Sequence, residues 1–184
     1  MIAIRLAGSG GQGIQLAGLV LAEAAIAAGW NAASMQAYGP ESRGGASRCD
    51  VILNRGEIDF PQARHPDILV ALSAEACQRF LLHVKTGGVV IGDPADLAGA
   101  PPHLRCYALP ILETARSLGS ALVANVVALG VFCAVTDLIA ADVVAAALAA
   151  RRPEARNQRA LQAGFSLGIR ARPASAAAPA GGAA

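Results

Sequence analysis

The sequence predicts an α/β protein: a doubly wound, mostly parallel sheet with helices on both faces, a Rossmann-like arrangement. Three observations predict it. Short apolar runs recur along the chain, each closing on glycine or a polar turn. Helix-forming segments lie between them. The first run passes through a glycine-rich turn directly into a helical pattern.

Ile2 to Ala7 (IAIRLA) is an apolar run of the kind a buried parallel strand needs, and Gly8 to Gly13 (GSGGQG) is the turn after it. Gln12 to Ala28 is rich in strong helix formers, with Gly29 placed to cap it. A second strand is expected over Asn31 to Ala37, followed by the polar segment YGPESRGG, Tyr38 to Gly45. Ala46 to Leu53 alternates as a third strand, with Asn54–Arg55–Gly56 as its turn. His65–Pro66–Asp67 leads into the buried strand ILVALS, and a helix is expected from Ala74 to Val84. Thr86–Gly87–Gly88 then opens the strand VVIGD, and Leu104 to Leu109 forms one more. Helices follow after Ile111 and from Val123 onward, and Arg152–Pro153 precedes a last helix over Glu154 to Gly164. The expected organisation is one domain over residues 1–169, with a disordered Ala/Pro/Gly tail over 170–184.

Composition narrows the class. The chain has 184 residues, 54% hydrophobic and 15% charged, enough for an ordered domain with a sizeable core. The formal charge of +2 comes without a dense basic stripe, which argues against a nucleic-acid binder. The apolar stretch Ala121 to Ala150 is broken by Asn125, Thr136, Asp137 and Asp142, so it reads as a buried helix rather than a membrane span. Cys49, Cys77, Cys106 and Cys133 form no CxxC pair and read as buried free thiols in a reducing compartment. No leader pattern precedes the first strand, and the expected location is cytoplasmic. His65 and His103 read as loop residues and His83 as helical, with no metal-ligand spacing among them.

Gly8, Gly10 and Gly13 match GxGxxG between a strand and a helix, where glycines let backbone N–H groups approach an anion. The second strand, however, reads NAASMQAYG and lacks the carboxylate that would hold a dinucleotide's ribose. Three readings stay open: a dinucleotide site, glycines that only let the helix pack on the sheet, or a loop touching another ligand's phosphates or a neighbouring subunit. YGPESRGG follows the second strand and so belongs to the same sheet edge as the first loop. Pro40 restrains it, Gly44 and Gly45 let it turn, and Glu41 and Arg43 carry opposite charges. Two such loops at the carboxyl ends of strands suggest a binding or docking surface. Asn125, on an apolar helix, needs polar partners and is read as locking the core. Asp93–Pro94 reads as a turn that starts a helix.

The ordered series GSGGQGIQLAGLVLAEAA, YGPESRGGASRCDVILN, HPDILVAL, GGVVIGD, LGSALVANVVALG and NQRALQAG resembles the gamma subunit of 2-oxoacid:ferredoxin oxidoreductases. The resemblance spans the chain to about residue 169. It implies a gamma-type subunit of a multi-subunit enzyme that oxidatively decarboxylates a 2-oxoacid to an acyl-CoA. Thiamine diphosphate with Mg is then held by alpha- and beta-type partner subunits. Iron–sulfur clusters lie in a delta-type subunit or domain, and electrons pass to ferredoxin or, through an added flavin subunit, to NAD. This chain completes the assembly, holds no cofactor firmly by itself, and shares the coenzyme A site.

The cofactor-facing residues on this reading are Gly8, Gly10, Gly11, Gln12 and Gly13 in the first loop, and Tyr38, Glu41, Arg43, Gly44 and Gly45 in the second. Arg43 with the Gly44–Gly45 backbone faces the coenzyme A phosphates or a partner, because a guanidinium offers several fixed donors; pairing with Glu41 is the competing role. Gln12 either bonds across a subunit interface or serves the helix N-terminus. No catalytic residue and no metal ligand is expected in this chain. The substrate stays open among 2-oxoglutarate, pyruvate, branched-chain and aryl 2-oxoacids such as phenylglyoxylate; the YGPESRGG and HPD segments look more like the 2-oxoglutarate and general 2-oxoacid branch than the indolepyruvate one. A freestanding nucleotide-binding module and a purely structural assembly subunit are the alternatives.

Overall fold

The computed structural model describes residues 1–36, 46–59 and 61–172. Six strands form one sheet: β1 (Ile2–Gly8), β2 (Asn31–Gln36), β3 (Ser47–Asn54), β4 (Ile68–Ala71), β5 (Val89–Gly92) and β6 (Arg105–Ala108), in the spatial order β2-β3-β1-β4-β5-β6. β1, β4, β5 and β6 run parallel. β3 runs antiparallel to both of its neighbours, β1 and β2, so β2 points the same way as β1. The sheet is mixed but mostly parallel. The reversal of β3 has a simple cause: only ten residues separate Gln36 from Ser47, too few for a crossover that would return the chain parallel.

The helices are α1 (Ile14–Ala27), α2 (Ala74–Phe80), α3 (Ile111–Ser117), α4 (Ala124–Thr136), α5 (Ala141–Arg151) and α6 (Ala155–Ala171). Alternation along β1 sends Ile4 and Leu6 to one face and Ala3, Arg5 and Ala7 to the other. The first face carries the main core, in which Ile4, Leu6, Val51, Val70 and Ile91 meet Leu21, Val127, Phe132 and Leu148 from the helices. On the second face Leu69 and Val90 pack against Cys77 and Phe80 of α2. Helices thus cover both faces, unevenly: α2 alone among the described helices serves the second.

α4 explains the apolar stretch. Every residue from Ala124 to Ala134 is buried, because the helix contacts β5 on one side and α6 on the other. Two glycines allow that second contact. A β-carbon on Gly130 would stand 2.6 Å from the Phe165 amide nitrogen, and one on Gly164 would stand 2.7 Å from the Val127 carbonyl carbon. The helix backbones touch there. No helix among the described residues is long and apolar enough to cross a membrane.

Several boundaries differ from the sequence expectation. α1 starts at Ile14, not Gln12, because Gly13 adopts a left-handed conformation with φ of 71°. The helix expected to reach Val84 stops at Phe80 and continues as a 3-10 turn over Leu81–His83, which holds His83. α6 continues past Gly164 to Ala171, and so past the boundary placed at residue 169. Gly164 and Gly168 are contact points with α4 rather than stops. Cys106, expected to be buried, is exposed, because β6 is the edge strand of the sheet; the other three thiols are buried, and all four are free. Residue 37, at the end of the second expected strand, and the tail from residue 173 lie outside the described residues.

Candidate functional site

The first glycine loop leaves the carboxyl end of β1 and feeds α1, at the edge where the parallel strands β4 and β5 also end. Gln12 organises it. Its Oε1 accepts a hydrogen bond from the Ser9 amide at 2.7 Å, and its Nε2 donates to the Leu72 carbonyl at 3.0 Å. The side chain therefore ties the loop to the end of β4 and positions the backbone around it. From the other side Asn125, 4% exposed, donates through Nδ2 to the Gly13 carbonyl at 3.0 Å, and its Oδ1 accepts from the Val126 amide at 2.9 Å.

The four loop glycines fall into three groups. A β-carbon on Gly8 would collide with the Gln12 side chain, and one on Gly13 with Asn125. Packing within the chain accounts for both. Gly11 has φ of 85°, which accounts for it by conformation. Gly10 has neither reason: its φ is not left-handed, and no described residue lies within 4 Å of where a β-carbon would stand. Ser9, Gly10 and Gly11 are exposed. The tip of the loop is bare backbone turned outward.

What can approach it follows from α1. That helix carries no side-chain cap and no acidic residue in its first turn, so its unpaired N–H groups meet no carboxylate of that turn. This suits an anionic group. It does not suit a dinucleotide held in the usual way, and the topology gives a second reason beyond the missing carboxylate. β3 lies between β1 and β2, which puts the end of β2 two strand spacings, about 10 Å, from the strand that launches the glycine loop.

Tyr38, Glu41, Arg43, Gly44 and Gly45 lie outside the described residues. Their flanks are described: Ser47, where the chain re-enters the sheet, pairs in register with Gly8. Around the same edge, Asp93 closes β5 and accepts from the Leu112 amide at 3.4 Å with both carboxylate oxygens. It thus serves the first turn of α3, a helix distant in sequence, rather than one beginning at Pro94. Burial pushes its carboxyl above the ordinary value of 3.8, against the lowering pull of the Leu112 amide.

Sequence reasoning passed over Arg5. It sits among apolar residues in β1, 4% exposed, and grips Asp50 of β3 with Nε and Nη2 at 2.7 and 2.8 Å. Nη2 also donates to the Ala63 carbonyl at 2.7 Å. The signal was present: a lone arginine at one position of a buried strand and a lone aspartate in SRCDVILN. Among the described residues, no group of three or more His, Cys, Asp or Glu gathers as a metal site would. Burial raises the three buried thiols, Cys133 to about 12, and partial desolvation raises the exposed Cys106, which keeps all four protonated and poor as metal ligands or nucleophiles near neutrality.

Comparison with known proteins agrees with this architecture. The pattern of the family described as pyruvate ferredoxin/flavodoxin oxidoreductase matches residues 3–167. The chain is 38% identical over 176 residues to 2-oxoglutarate synthase subunit KorC of Methanothermobacter thermautotrophicus, covering 89% of this chain and 93% of that one. It is 40% identical over 168 residues to the KorC subunit of Archaeoglobus fulgidus, covering 91% and 88%. Among solved structures, the gamma subunit of the keto/oxoacid ferredoxin oxidoreductase from Geobacter sulfurreducens superposes with a TM-score of 0.82 at 39% identity, covering 93% of this chain and all of that one. The match runs from the first strand into the last helix, and the chain belongs to the pyruvate ferredoxin/flavodoxin oxidoreductase family.

Proposed function

We propose that this chain is the gamma-type subunit of a 2-oxoacid:acceptor oxidoreductase, with 2-oxoglutarate as the substrate, and that its glycine-loop edge faces coenzyme A where the subunits meet. Gly10 carries the proposal: among the described residues neither packing nor φ requires a glycine there, and a group that comes close from beyond them explains it. The KorC relatives support the choice of substrate. Thiamine diphosphate and iron–sulfur clusters in the alpha-, beta- and delta-type partners supply decarboxylation and electron transfer to ferredoxin.

This chain's own residues hold a surface in place. Gln12 fixes the loop to β4, Asn125 fixes its far end to α4, and the backbone of Ser9 to Gly11 stays open. Arg43, with Gly44 and Gly45, adds a guanidinium and a close backbone from the second loop; this part rests on the sequence alone.

The test is a mild affinity purification of the chain from its native cell, followed by identification of what stays bound and an assay of dye reduction. The proposal expects thiamine-binding and iron–sulfur subunits, with reduction that requires both 2-oxoglutarate and coenzyme A. Recovery of the chain alone, under conditions that keep other complexes intact, would overturn it.

A further inference from the structure

The sheet face opposite the main core carries a second feature that the glycine loop does not explain. Beside α2 an open cleft of about 450 Å³ is lined by Arg5, Arg48, Asp50, Arg64, His65 and His83, among others. That volume is in the range of small-ligand sites. Its floor is built rather than incidental. Arg5 is 4% exposed and pinned by Asp50 and the Ala63 carbonyl, and its guanidinium lies 4.9 Å from the centroid of the buried Phe80 ring. Arg48 reaches the same ring at 6.0 Å. Arg79 lies 5.6 Å from it as well, so three guanidinium groups gather near one phenyl ring, and Arg64 lines the cleft wall, steadied by the Gln62 side chain at 3.3 Å.

The charges do not balance. Among the described residues the cleft holds three guanidinium groups against one carboxylate, Asp50, and Asp50 is already engaged with Arg5. Neither Arg48 nor Arg64 forms an ion pair with another described residue. Like charges gathered in a half-buried cleft repel, and an anion entering it relieves that repulsion while gaining charge-assisted hydrogen bonds. Planar guanidinium groups match tetrahedral oxyanions well, and His65 and His83 complete the lining, with the His65 Nδ1 3.3 Å from the His83 carbonyl.

We propose that this cleft binds a phosphate-type oxyanion, either free phosphate or pyrophosphate or the phosphoryl end of a larger nucleotide. Arg48 and Arg64 are the residues that touch it, and Arg5 forms the fixed floor. The site is separate from the glycine loop in its residues and does not rest on the function proposed above. A fixed, desolvated floor and two further guanidinium groups lining the cleft favour a compact dianion over the carboxylates of a protein segment.

The experiment is isothermal titration of the full chain with pyrophosphate and, separately, with adenosine 3′,5′-bisphosphate. It compares the parent with Arg48→Gln, Arg64→Gln, the double variant and, as a control, Arg55→Gln, whose guanidinium stacks on Trp30 elsewhere. Saturable binding is expected. Each single change in the cleft should weaken it several-fold, and the pair by at least about tenfold, while Arg55→Gln leaves it unchanged. Arg64 is exposed, so its variant reports even if the Arg48 variant folds poorly. Binding of both probes assigns the site to free phosphates, and binding of the bisphosphate alone assigns it to a nucleotide; either supports the proposal. Absence of saturable binding, or equal affinity in the double variant, overturns it. So does the case in which neither probe binds and the double variant instead loses its partner subunits on purification, which would make the cleft a protein-docking site.

Discussion

Asn125 and Gly13, 112 residues apart, are joined by a hydrogen bond of 3.0 Å from the side-chain amide to the main-chain carbonyl. The bond ties the first turn of the most deeply buried helix to the hinge of the glycine loop. A β-carbon on Gly13 would occupy the space the amide uses, so the two residues require each other. Asn125→Ala is expected to cost about 1–3 kcal/mol, since it removes a buried hydrogen bond and leaves the Val126 amide short of its partner. Chemical denaturation measures the loss. Hydrogen exchange should show the amides of residues 9–16 opening faster while those of β4 and β5 do not.

The contact between α4 and α6 sets two effects of Gly164→Ala against each other. Alanine in a helix gains about 0.5–1 kcal/mol over glycine, but here its β-carbon would press on the Val127 backbone. Overpacking against backbone, at about 1–3 kcal/mol, should win. The variant is expected to melt lower than the parent, with Gly164→Leu failing to fold, as thermal denaturation followed by circular dichroism would register.

Arg5 and Asp50 form a buried pair, and such pairs cost most when halved. Asp50→Asn and Arg5→Met should each lose about 3–5 kcal/mol, whereas Arg5→Met combined with Asp50→Leu should recover much of that loss. A double-mutant cycle in urea gives the coupling; additive losses would mean that Ala63 and Phe80, not Asp50, hold the arginine.

Asp93 has a raised carboxyl in the folded state, with burial as the larger cause and the Leu112 amide opposing it. Between 3.8 and that higher value the folded protein binds more protons than the unfolded chain, so this group's contribution to stability falls as pH rises through the window. Asp93→Asn keeps an acceptor for α3 and removes the titration. Its melting temperature near neutral pH should match or exceed the parent's, and the decline of stability with rising pH over that window should flatten.

Much of this was legible in the sequence because the signals are local. The strand-to-loop-to-helix transition at Gly8 to Gly13 announces itself through composition, and so does the alternation of apolar runs with helix formers. What was not legible depends on distant partners. Nothing in SRCDVILN states that the strand runs backwards; the short connection before it does, once the sheet order is known. Gly164 looks like a helix stop until Val127 is seen against it, and Cys106 looks buried until β6 is found at the edge. Asn125 stood out because a lone amide in an apolar helix needs a partner, though its partner was not named. Arg5 and Asp50 explain each other only when β1 and β3 lie side by side.

The central claim is that the outward tip of the glycine loop meets a ligand or a neighbouring subunit, and Gly10→Ala tests it most directly. The added methyl meets no described residue, so stability should stay within about 0.5 kcal/mol of the parent. In the assembled enzyme, the 2-oxoacid- and coenzyme A-dependent rate should fall, with the KM for coenzyme A raised several-fold or the subunit released from the complex. An assembled Gly10→Ala enzyme with unchanged turnover, coenzyme A dependence and subunit composition would contradict the account.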